Sequence, residues 1–297
     1  MNRKYGFGVM LVLIGGACLS TAGILLRNVE SANGWQILFF RGIAFSITLF
    51  TILLIRYRGR TINAFRAVGI RGLWVAVILG LGSCAYVFAM LTTTVANVVF
   101  IIGAAPLLTA LIGWLLLRER LTITSIVTMI IAFAGIGLMF ADGINAGRWL
   151  GNSMALIVVL SFALMLILVR GAKHIDMLPA TCMAGLVAAS LSFFMADDLI
   201  VSSHDLLIAI FLGSVQFTGG FMLITIATRH VPAAEVALFS LSEAVLAPLW
   251  VWIGVNEVPS RLTIAGSLIV FVAVVIYCLV AIRNEKQRRS LNAANIS

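Results

Sequence analysis

The sequence predicts an all-α membrane protein, with ten transmembrane helices arranged as two inverted five-helix repeats. Three observations predict it. Of 297 residues, 62% are hydrophobic and only 10% charged, against about 25% charged in an average soluble domain. The basic residues fall overwhelmingly on alternate breaks between apolar runs. A stretch in the first half matches one in the second at a constant offset. Lipid offers no partner to a bare peptide group, so only helices and closed barrels span it. The apolar runs are far too long for the alternating ten-residue strands of a barrel.

A spanning helix needs about 20 mostly apolar residues. Between charged or Gly/Pro-containing breaks, helices are predicted at 6–26, 35–55, 73–91, 95–117, 121–140, 151–169, 178–196, 206–228, 234–255 and 261–282. The first begins MNRKYGFGVMLVLIGGAC, which imitates a signal peptide and offers Ala17-Cys18 as an apparent cleavage site. Its apolar run continues to Leu26, which is spanning length, so it reads as a retained helix. The second helix contains LFFRGIAFSITLF, with Arg41 about two turns from its outer end. The fourth and ninth carry Pro106 and Pro248 in mid-span. Each proline lacks an amide hydrogen and frees the carbonyl four residues earlier, at Ile102 and Ala244. The tail after Arg283 reads as a basic, disordered anchor.

Counting Lys and Arg on alternate sides gives 16 against 3, with Arg41 inside the second helix completing the 20. By the positive-inside rule, both termini and the 16 face the cytoplasm. The net charge of +9 is therefore topology and points away from a nucleic-acid partner. Cys18, Cys84, Cys182 and Cys278 lie singly on four helices, with no metal-type spacing. No metal and no cofactor are expected.

Set from Ala96 and from Ala234, ANVVFIIGAAPLLTALIGWLLLRERLT and AEVALFSLSEAVLAPLWVWIGVNEVPS align at an offset of 138, matching Leu111 to Leu249, Trp114 to Trp252 and Glu119 to Glu257. Five helices per half is an odd number, so the second half must enter the membrane from the opposite side. The domains are read as 1–145, the first repeat, 146–283, the second, and 284–297, the cytoplasmic tail. Inverted repeats are a recurrent transporter plan, with the site near the bilayer midplane. PLLTALIGWLLLRERLT, with its proline, tryptophan and terminal glutamate, resembles the end of the EamA-type repeat of the drug/metabolite transporter superfamily. LSEAVLAPLWVWIGVNEVPS resembles the second copy, although Ala244 stands where that family often has proline. LFFRG resembles the arginine-bearing second helix. The resemblance covers roughly 6–282 and implies movement of small metabolites, commonly amino acids or related solutes.

A charge at the centre of a spanning helix costs on the order of 2.5 to 3.5 kcal/mol. Arg41 and Glu243 are the two that qualify. Arg41 reads either as a fixed cation for a substrate carboxylate or phosphate, or as a tie to Glu243 or to freed carbonyls. Glu243 reads either as a proton or cation site, giving proton coupling, or as a carboxyl bonding a neighbouring helix. Ser83, Tyr86, Asn97, Ser161, Gln216, Thr218, Ser240 and Ser242 also lie at membrane depth. Tyr86, Asn97 and Gln216 are taken as cavity residues, with Phe239 among the apolar walls that Trp114, Trp252, Phe88 and Phe217 also supply. Pro106 and Pro248 mark helix breaks, and Glu119 and Glu257 a structural gate. Asp197, Asp198 and Asp205 read as a solvated acidic loop.

The expected function is secondary transport of a small metabolite by alternating access. The cargo is an amino acid or related zwitterion, export being favoured over uptake, across a bacterial inner membrane. Alternatives are a multidrug or organic-cation exporter and an organic-anion or nucleotide-sugar-type carrier. A membrane enzyme would need a nucleophile with its base, or a metal set, near one interface, and no such cluster is visible. The expected partners are the substrate and the bilayer, with the chain a monomer or homodimer.

Overall fold

The computed structural model describes residues 3–117, 123–170, 176–228, 230–231 and 233–294. Its order is α1 (Arg3–Ser20), α2 (Ala22–Arg27), α3 (Gly34–Tyr57), α4 (Thr61–Ala67), α5 (Gly69–Thr92), α6 (Val95–Gly103), α7 (Ala105–Leu117) and α8 (Ile123–Asn145). There follow α9 (Trp149–Arg170), α10 (Leu178–Met195), α11 (Ser203–Phe211), a π-helical turn (Leu212–Phe217), α12 (Thr218–Ala227), α13 (Ala233–Ser240), α14 (Ser242–Val255) and α15 (Arg261–Ala294). Among the described residues, nine helices are long and apolar enough to cross a membrane, or ten if α6 and α7, bent by 42° at Ala104, form one span.

Local chemistry starts these helices where the apolar runs begin. Asn33 caps α3 by accepting from the amides of Trp35 and Gln36, and the Gln36 side chain answers on the Asn33 amide, a capping box. Thr94 caps α6 and Ser202 caps α11 in the same way. Pro179 stands in the first turn of α10, where its missing amide hydrogen is not needed. Residues 284–294, expected as a disordered tail, instead continue α15. Their Arg, Lys, Glu, Gln and Ala are good helix formers, and no glycine or proline follows Gly266 to stop them.

Without a hydrophobic force between helices in lipid, packing depends on small residues that let backbones approach. A methyl at Gly42 would stand 2.7 Å from the Gly185 carbonyl oxygen. One turn on, Ser46 donates to the Cys182 carbonyl at 2.9 Å. Residue number rises on α3 as it falls on α10, so the two run antiparallel. Helices α8 and α15 behave alike. Gly135 meets the Gly266 carbonyl oxygen, and Thr263 donates to Asp142 at 3.0 Å. Both pairs join positions that correspond in the two halves, the second and the fifth span of each.

In the acidic connection Asp197 and Asp198 are exposed as expected, but Asp205 is not. Asp205 is fully buried and accepts from the amides of Glu30, Ser31 and Ala32 at 2.9, 3.0 and 2.9 Å, and from the Ser31 hydroxyl at 3.0 Å. Asp198 accepts from Gln36 Nε2 at 2.7 Å. The connection between α2 and α3 has three backbone donors with no helical partner, and one carboxylate satisfies them all. Asp205→Ala is expected to lower the thermal unfolding midpoint in detergent by about 5–10 °C, from the loss of charge-assisted bonds. Asp197→Ala, at an exposed position, is expected to leave that midpoint unchanged.

Candidate functional site

Arg41 is 5% exposed in the interior of the bundle. Its Nη1 donates to Ser83 Oγ on α5 at 2.8 Å. The guanidinium carbon lies 5.5 Å from the centroid of the Tyr86 ring, also on α5, and 5.2 Å from that of Phe217, from the π-helical turn. Among the described residues, no carboxylate comes within 4.0 Å of it. A cation over an aromatic face is attracted by the ring quadrupole, about 2 kcal/mol or more where desolvated. The charge is therefore tolerated at this depth without a counter-charge.

Glu243 stands in the first turn of α14, where the dipole of that helix favours a negative charge. It is half-buried and, among the described residues, has no ion-pair partner. Tyr86 stands beside Arg41, and Glu243 follows Ser242, which packs on Gly16 of α1 two residues before Cys18, whose thiol donates to the Gln216 carbonyl of the π-helical turn. Arg41, Glu243 and Tyr86, all predicted as site residues, thus share one neighbourhood. Ser83, Tyr86, Phe217 and Glu243 are each only partly buried.

Helix irregularities surround it. The first span is interrupted at Thr21, between α1 and α2, and the fourth bends at Ala104, with Pro106 in the first turn of α7. The ninth is interrupted at Leu241, one residue before the position that the repeat offset assigns to Ala104. Pro248 lies inside α14. The two interruptions therefore correspond more closely than the two prolines do. A methyl at Gly16 on α1 would stand 2.7 Å from Ser242 Oγ, which packs the first span against the interruption of the ninth.

The remaining predicted residues lie in other settings. Gln216 is 2% exposed, and its Nε2 donates to the Leu19 carbonyl at 2.7 Å, while its Oε1 is buried without a partner. Asn97 is fully buried. Its Nδ2 donates to Asn152 Oδ1 at 2.9 Å and Thr93 Oγ1 at 3.3 Å, and its Oδ1 accepts from Thr263 at 3.0 Å. That amide is fully employed in tying α6, α9 and α15 together. Phe239 packs with the Leu11, Val12 and Val236 cluster. Glu257 pairs with Arg27, Oε2 to Nε at 2.7 Å, and accepts from the Val95 amide at 2.8 Å. Arg27 also donates to the carbonyls of Met90 and Thr93. Glu119, expected as the other half of the gate pair, lies outside the described residues.

Multiple apolar spans, antiparallel packing of corresponding helices and interrupted helices beside a buried arginine and a half-buried glutamate define a multi-pass membrane protein of transporter type. The chain belongs to the EamA-like transporter family, whose profile matches residues 6–141 and again 149–279, giving two repeats. No curated protein matches it. Thirteen solved chains do. One, a crystal structure described only as that of a protein, aligns over 92% of this chain and 98% of its own length, with a TM-score of 0.64 and 16% identity. That likeness speaks for the fold alone.

Two contributors to the neighbourhood of Arg41 were named from the sequence only in groups, Ser83 among the polar residues at membrane depth and Phe217 among the apolar walls, and neither was chosen as a site residue. Both are common residue types in membrane helices, and only the fold brings them to one cation. Because the polar capacity of Asn97 is consumed in its own network, Asn97→Ala is expected to act on stability. It removes the hydrogen bonds to Asn152, Thr93 and Thr263, costing about 1–3 kcal/mol. Thermal unfolding in detergent reads it as a lowered midpoint.

Proposed function

We propose that this protein is a secondary transporter that exports a small zwitterionic metabolite, an amino acid or close relative, across a bacterial inner membrane by alternating access. The observation that carries the reading is an unneutralised guanidinium and an unpaired carboxylate within two of the apolar spans. A zwitterion supplies the opposite charge to each, its carboxylate to Arg41 and its ammonium to Glu243. In this reading both termini are cytoplasmic and the two halves, 1–145 and 146–283, are inserted in opposite senses. Antiparallel contact between α3 and α10, and between α8 and α15, supports the inversion. Ion pairing of Arg27 with Glu257 acts as an external gate, joining α2, the start of α6 and the connection before α15. Glu119 has the corresponding role on the other side, and Glu243 couples transport to protons.

Purified protein in liposomes, offered labelled amino acids, organic anions and cationic drugs at several proton gradients, tests the reading. Saturable uptake of amino acids is expected, with anions and cations weaker. Arg41→Ala is expected to keep the fold and abolish saturable transport, and Glu243→Gln to flatten its pH dependence. Unchanged uptake in both variants would remove these residues from the site. For the gate, Glu257→Gln is expected to raise labelling of a cysteine placed at Ser83 by an impermeant maleimide added from outside. Equal labelling with and without the substitution would exclude that role.

A further inference from the structure

A buried cation needs compensation, and its form decides what else the cation can do. A neighbouring carboxylate would compensate Arg41 by occupying the in-plane fork of N–H donors. Aromatic rings compensate through the faces, because the negative part of the quadrupole lies above the ring. Arg41 has the second kind of environment. Of its five N–H donors, one goes to Ser83 Oγ, and among the described residues no other oxygen or nitrogen acceptor takes the rest.

The ring of Phe217 is held there by more than one device. The π-helical turn Leu212–Phe217 inserts an extra residue and so rotates the side chains that follow relative to those before it. Its backbone rests on α3 at Arg41 itself, since a methyl at Gly213 would collide with the Arg41 carbonyl oxygen and stand 2.9 Å from the Phe45 amide nitrogen. Thr218 donates to the Gly213 carbonyl at 2.7 Å and supports the wide turn. The Phe217 ring meets Phe45 edge-on at 5.2 Å and stacks on Phe221 at 6.4 Å.

We propose that Phe217 is a positioning residue which, with Tyr86, holds the Arg41 guanidinium by its faces and reserves its edge for the planar carboxylate of the substrate. The inference rests on the transport reading above and deepens it, by naming the residue that positions Arg41 for the substrate carboxylate. A bidentate fork matches a carboxylate in geometry and charge. A doubly charged phosphate asks for a second cation, and Arg41 is the sole basic residue in the middle of a predicted span, Arg261 standing at the very start of the tenth.

The test uses the full chain in detergent and in liposomes. The probes are the twenty protein L-amino acids and the carboxamide of each. Wild type is expected to be stabilised against heat by at least one amino acid and not by its carboxamide. Phe217→Leu is expected to raise the apparent Kd and KM for that amino acid about tenfold, the loss of one cation–π contact, with Vmax largely kept. Phe217→Trp is expected to restore both to near wild type. If Phe217→Leu does not fold, Phe217→Met is read in its place. An amino acid that binds wild type and the Leu or Met variant equally, or binds as well as its carboxamide, overturns the inference and leaves the transport reading standing. Absence of stabilisation and of uptake for all twenty overturns both.

Discussion

The constraint on which this protein turns is electrostatic: two charges lie where lipid surrounds the bundle, and neither is neutralised by the other. An ion pair would be the obvious remedy, but it would consume the donors and acceptors a ligand needs. Arg41 is instead compensated by two aromatic faces and one hydroxyl, and Glu243 by the positive end of α14. Both remedies are neutral. They lower the cost of the charges and leave them unspent, which is what a binding site for a zwitterion requires.

Packing follows from that constraint. Charges held without an ion pair need walls that fit closely elsewhere, and the glycine contacts of α3 with α10 and of α8 with α15 supply the approach. Saturated polar networks hold the rest. Asp205 fixes the connection before α3, Asn97 and Asn152 join α6, α9 and α15, and Arg27 with Glu257 joins three segments at one end. The irregularities sit elsewhere, at Thr21, Ala104, Leu241 and the turn 212–217. Rigid tied ends beside interrupted helices are the mechanical ingredients of the proposed rocking motion.

Much of the fold was legible because an apolar run of spanning length permits one solution in lipid. The predicted helices and the described ones differ mainly at their ends. The site was legible in part, since a charge inside such a run announces itself. Other features depended on tertiary structure. Asp205 looked solvated because the loop it caps lies about 175 residues away in sequence. The interruption at Leu241 carries neither proline nor glycine, and Pro248, which does carry the signal, is absorbed within α14. A ring over a guanidinium has no sequence pattern at all, so Phe217 looked like any aromatic residue in a membrane helix.

The central claim is that the Arg41 neighbourhood is a wet crevice reached from water. Ser83→Cys, in a chain whose four native cysteines are replaced by serine or alanine, measures it through the rate of reaction with small water-soluble thiosulfonates from each side of oriented vesicles. The account predicts reaction, slowed by a transported amino acid. A thiol that stays unreactive from both sides, at the rate of a cysteine facing lipid, would contradict it.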